Sequence, residues 1–212
     1  MDFDKRIYPV NLRVQKREGG LPMIVGHAAV FNVLSEDLGG FREMVIPGAF
    51  KRTIGINDIR SFLNHDPNLV LGRNRAGTMK LEEDDKGLMI EVDPPDTQYA
   101  RDLCVSIERG DITQMSFMFV PVATRWREDG SVIVRDLIDV DLYEAGPCTF
   151  PAYTATDVSV RSALDGITAA GKPARDVVAQ LNALFGQAAS NEGANDYQVD
   201  LDLRKRKLGT LI

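Results

Sequence analysis

Between residues 7 and 161 the chain alternates apolar and polar positions in short runs separated by turn residues, the pattern of β-strands rather than helices. The run MIVGHAAVFN (23–32) is apolar and rich in β-branched residues, and IRSFLNHD (59–66) alternates and then ends in turn formers. GTMKLEEDDKGLMIEVDPP (77–95) predicts a hairpin joined through DDKG, and TRWREDGSVIVRDL (124–137) a second one turning at Asp129-Gly130. LIDVDLYEA (137–145) and DVSVR (157–161) read as the last strands. Two segments break the two-residue period. PGAFKRTI (47–54) opens with Pro47, which suits a first helical turn. TQYARDLCVSIERG (97–110) has Thr97 as a cap, Tyr99, Leu103 and Ile107 at helical spacing, and Gly110 as a stop. The expected fold is mainly β, a barrel or sandwich with a few helices.

After Arg161 the alternation gives way to an Ala/Gly/Asn-rich stretch with one expected helix, from Pro173 to about Phe185. The end, YQVDLDLRKRKLGTLI, finishes in a basic run from Arg204 to Lys207. Residues 1–161 therefore read as one β-barrel domain, and 162–212 as a linker, a helix and a flexible C-terminal tail.

Composition narrows the function classes. The formal net charge of −6 argues against nucleic acid as a general partner. No apolar run approaches a membrane span, and the opening MDFDKRIYPVNLRV lacks the apolar stretch of a signal peptide, so a cytoplasmic protein is expected. The two cysteines, Cys104 and Cys148, are too few and too far apart for a zinc ribbon or a redox pair, and read as free, small apolar residues. Any mechanism that needs imidazole has only His27 and His65 to draw on. With no metal-ligand spacing and no phosphate-binding glycine loop, no metal or cofactor is expected.

The candidate chemistry begins at QMSFMFVP (114–121). Strand alternation puts Met115, Phe117 and Phe119 on one face and Ser116, Met118 and Val120 on the other. A lone hydroxyl among apolar neighbours needs a partner, either a neighbouring carbonyl or a base that makes it a nucleophile. His65, in FLNHDPNLVLG, is the candidate base, although an Asn-His-Asp-Pro bend also suits a plain turn. A third group to orient the imidazole has four candidates: Asp66, Asp139, Asp141 and Glu144. His27 in VGHAAVF reads as a half-buried strand residue.

Five segments in order then carry a resemblance: GHAAVFN, IPGAF, FLNHDPNLVLGRNRAGTMKLEEDDKGLMIEVDPPDT, RDLCVSIERGDITQMSFMF and LYEAGPCTFPAYTATDVSVR. Together, over residues 5–161, they resemble the prohead maturation proteases of tailed bacteriophages, which are similar in fold to herpesvirus assembly proteases. The resemblance implies a serine endopeptidase acting inside the immature capsid in the host bacterial cytoplasm. Its implied substrates are the capsid or scaffold protein and itself, with a homo-oligomer possible by analogy. By motif, His65 is the implied base, Ser116 the nucleophile and Glu144 the group orienting His65. Herpesvirus relatives use a second histidine in that last role, but His27 stands where the phage family has an aromatic. The oxyanion is expected on backbone amides, with Arg101 or Arg109 as candidate helpers. The chain departs from the family pattern at Met118, where a glycine is common, and at Gly146 and Cys148 in GPCTFPAY. The competing expectation is a barrel kept only for capsid assembly, its serine and histidine structural.

Overall fold

The computed structural model describes residues 4–9, 12–150 and 174–186. It is mainly β, with a curled, half-barrel sheet and few helices, as the alternation predicts. The first sheet runs in the order β1 (Asp4–Pro9), β9 (Gln114–Asp129), β10 (Val132–Cys148), β5 (Arg60–Leu63), β6 (Asp66–Arg73), with β4 (Arg42–Val45) pairing in parallel with β10. The second runs β2 (Arg13–Gln15), β3 (Met23–Val30), β8 (Gly87–Val92), β7 (Met79–Glu83). The inner faces of both sheets and helix α2 (Gln98–Arg109) share one core, which includes Ile24, Ile90, Leu103, Ile107, Phe117 and Leu142. Phe117 sits at its centre, edge-on to Phe50 at 5.5 Å and stacked on Phe119 at 5.0 Å.

The hairpins form where the turns predict them, but two differences matter. The segments read as separate strands around residues 114–121 and 124–145 belong to two long strands, of 16 and 17 residues, joined through Gly130-Ser131, one residue beyond the expected Asp129-Gly130. Their length is tolerated because the ladder is broken at Leu137/Asp139, Asp139/Val140 and Leu142/Glu144. IRSFLNHD is a strand ending in the expected turn residues: β5 closes at Leu63, the chain reverses at Asn64-His65 and it returns as β6. Helix α1 spans Lys51–Ile56 and not 47–54, since Gly48 has φ of 100° and Pro47 opens a turn instead. Glu83 accepts the Gly48 and Phe50 amides at 3.0 and 2.7 Å and pins that turn.

Helix α2 has Thr97 at its cap position, without a side-chain cap bond, and Gly110 at its end in the left-handed conformation. Helix α3 (Ala174–Phe185) matches the expected C-terminal helix and is docked, not loose. Its Val177 and Leu181 are buried with Leu38, Phe41 and Trp126. Asn182 accepts from the Trp126 amide at 2.9 Å and donates to the Trp126 carbonyl at 2.8 Å, as a neighbouring strand would. The strand expected at 157–161, the linker and the basic tail lie outside the described residues. No helix among the described residues is long and apolar enough to cross a membrane.

Candidate active site

Strand β9 holds Ser116 between β1 and β10, opposite Ile7 on one side and Gly146 on the other. Met115, Phe117 and Phe119 are fully buried while Met118 and Val120 are partly exposed, so the predicted two-faced strand is present. Ser116 is itself fully buried.

Glu144 reaches the serine's face through an irregularity. In a regular strand it would share the core-facing side of Leu142, two residues earlier. The break between them re-aims it: Leu142 lies opposite Phe119, but Glu144 lies opposite Met118, two positions from Ser116. Gly146 then supplies the room. A Cβ there would stand 2.3 Å from the Phe62 carbonyl oxygen, 2.9 Å from Glu144 Oε1 and 3.0 Å from Ser61 Oγ. The glycine that departs from the expected segment is thus required where β10, β5 and the carboxylate converge.

His65 arrives on the two-residue turn between Leu63 and Asp66. Asn64 and His65 have φ of 55° and 60°, the mirror-image turn that matches strand twist and that Asn tolerates well. From there Nδ1 lies 2.6 Å from Glu144 Oε2 and Nε2 lies 2.8 Å from Ser116 Oγ. The remaining oxygen, Glu144 Oε1, accepts the Phe62 amide at 3.3 Å. Burial pushes the Glu144 carboxyl above its usual range, against the opposing pull of His65, the Phe62 amide and Lys5.

The rival candidates are engaged elsewhere. Asp66 accepts from Asn68 at 2.8 and 2.9 Å within its own turn. Asp139 and Asp141 both bind Arg52 at 2.7 Å and tie α1 to β10. His27 contacts Asp84 at 2.8 Å on the second sheet. Arg101 and Arg109 pair with Asp96 and Asp111 at exposed positions. Cys148 is buried and its thiol is pushed up to about 12, by burial first and then by Glu144, which leaves no thiolate to react at neutral pH. A hydroxyl, an imidazole and a carboxylate in this order suit nucleophilic attack with general-base help.

Two contributors were not legible in the sequence, the space at Gly146 and the Phe62 amide. Both depend on β5 approaching β10, a pairing between strands 84 residues apart at Arg60 and Glu144 that no local pattern announces.

No curated protein matches the chain. Among solved structures, the capsid assembly protease gp21 of bacteriophage T4 superposes with a TM-score of 0.42 at 10% identity, covering 69% of this chain and 99% of that one. The sequence model of the caudovirus prohead serine proteases matches residues 10–168. That match spans most of the chain, including every residue of the Ser116–His65–Glu144 cluster, and the protein belongs to the caudovirus prohead serine protease family.

Proposed function

We propose that this protein is a serine endopeptidase that cleaves capsid or scaffold protein, and itself, inside the prohead. The observation that carries the proposal is His65 bridging Ser116 and Glu144 at 2.8 and 2.6 Å. In this mechanism His65 Nε2 takes the Ser116 proton as Oγ attacks the scissile carbonyl. The imidazolium then returns the proton to the leaving amine, and water repeats the cycle on the acyl-enzyme. Glu144 accepts the Nδ1–H, fixes the tautomer and offsets the imidazolium charge. The apolar setting of Ser116 strengthens its bond to the base. Because Ser116 has no exposed surface, a peptide carbonyl gains access only through local movement around the hydroxyl. Residues 1–161 form the protease domain in this proposal, and 162–212 its linker, helix and tail.

The test is co-expression with the cognate capsid or scaffold protein, wild type against Ser116→Ala and His65→Ala, with fragment masses read by mass spectrometry. Cleavage by the wild type alone supports the assignment. Identical products from all three would make the barrel an assembly factor with a structural serine.

A further inference from the structure

The turn that presents His65 is held by more than its own hairpin. Between Phe62 and Leu63 the register of β5 against β6 jumps, from Phe62 opposite Val70 to Leu63 opposite Asp66, so regular ladder pairing does not run to the tip. Both tip residues have left-handed backbone without being glycine, a conformation that surrounding contacts must maintain. The contacts come from Asn64. Its backbone amide donates to the Pro147 carbonyl at 3.1 Å. Its side-chain oxygen accepts the Thr149 amide at 2.8 Å, and its side-chain nitrogen donates to Thr149 Oγ1 at 3.2 Å. Both ends of one exposed side-chain amide are therefore used on the end of β10.

That end is the right place to anchor a base. Pro147 and Cys148 are paired with Met115 and Gln114 of β9, and Gly146 lies opposite Ser116. The strand that carries Glu144 and borders the serine thus also holds the turn carrying His65.

We infer that Asn64 is a positioning residue: clipped to Thr149, it sets the height of the neighbouring imidazole so that one ring meets both Ser116 and Glu144. This deepens, and rests on, the proposed proteolytic role of the site. Asn64 touches neither the nucleophile nor the carboxylate in the contacts described, and acts through His65. A plain turn former has a different requirement, which glycine meets equally well.

That difference supplies the experiment. Asn64→Gly keeps the turn and removes the clip, while Asn64→Asp keeps an acceptor for the Thr149 amide. Thr149→Val removes one contact without touching the turn. Each full-length variant is followed by thermal midpoint, by kcat and KM for cleavage of the capsid protein, and by NMR of the His65 Nδ1 proton. The expected result for Asn64→Gly is a folded protein with kcat down roughly ten- to a hundredfold, KM unchanged, and a lost or broadened Nδ1 proton. Asn64→Asp recovers most of both signals, and Thr149→Val falls between. Wild-type kcat and an intact Nδ1 proton in Asn64→Gly would overturn the inference, as would Asp failing as badly as Gly. The two proposals separate cleanly. Cleavage by Ser116→Ala would defeat the serine assignment, while the Nδ1 proton would still report on the clip.

Discussion

The Glu144 carboxylate has one oxygen on His65 and the other on the Phe62 amide, in a setting that excludes water almost completely. Burial raises its pKa above the usual glutamate value of 4.5, so the folded protein holds this proton more tightly than the unfolded chain. The sign follows by linkage: the group's contribution to stability declines as pH rises from that value through the raised one, and ionised Glu144 is a cost at neutral pH. Glu144→Gln removes the charge while preserving shape. The expected outcome is a thermal midpoint at or above wild type, with the difference larger at pH 8 than at pH 4. Cleavage falls roughly 10²- to 10⁴-fold, because an amide orients the imidazole poorly and cannot balance its charge. Calorimetry at the two pH values beside a cleavage assay checks both halves. A midpoint that drops at pH 8 would show the carboxylate to be structural.

At the scale of elements, three local departures from regularity build the site. The break in β10 turns Glu144 out of the core, the mirror-image turn lifts His65 over the sheet, and Gly146 lets β5 close on β10. Gly146 is the most constrained of these, since the nearest atom to an added Cβ is the Phe62 backbone oxygen at 2.3 Å. Backbone cannot swing aside as a side-chain end can. Gly146→Ala is therefore expected to separate β5 from β10, cost about 1–3 kcal/mol as overpacking does, and reduce cleavage more than that loss of stability explains. Denaturant unfolding and cleavage kinetics on the same preparation measure the two effects. A variant with unchanged unfolding would show that the strand pair has slack.

Across the whole molecule, a buried charge cluster separate from the Ser116–His65–Glu144 contacts ties the sheet together. Glu43 on β4 is fully buried between Arg6 of β1 and Arg135 of β10, with Asp4 beside them. Arg6 also lies over the Phe119 ring, and Arg135 over Phe41 and Trp126. Burial would push the Glu43 carboxyl up, but Arg135 and Arg6 outweigh it and hold the pKa below 4.5. Its stabilising contribution is thus present above the unfolded value and is lost as pH falls through the lowered one. Glu43→Gln removes the fully buried carboxylate that the two arginines share, leaving them Asp4 at 3.5 and 3.4 Å, and is expected to cost about 3–5 kcal/mol at pH 7. The penalty should shrink as pH falls below the unfolded value of 4.5, because the unfolded wild-type chain then takes up a proton that the folded one still lacks. Urea unfolding of both proteins at pH 7 and pH 3.5 checks this, and a pH-independent penalty would count against the charge as its source.

Much of this was written locally. Alternation alone put Ser116 on the opposite face from Phe117, turn residues placed the hairpins, and the scarcity of histidine left His65 as the candidate base. Such features depend on neighbours one to four residues away, whose steric and solvation preferences any stretch of sequence displays. Local pattern did not separate Glu144 from Asp66, Asp139 and Asp141; in the sequence only the family resemblance pointed to it. All four are acidic residues in turn or strand contexts, and what separates them is a ladder irregularity and a close strand approach. Those arise from packing between segments far apart in the chain. The sequence by itself determined which residues were available for the chemistry; only the tertiary structure decided which of them meet, because hydrogen bonds of 2.6 and 2.8 Å demand a precision that long-range backbone pairing supplies and local pattern does not contain.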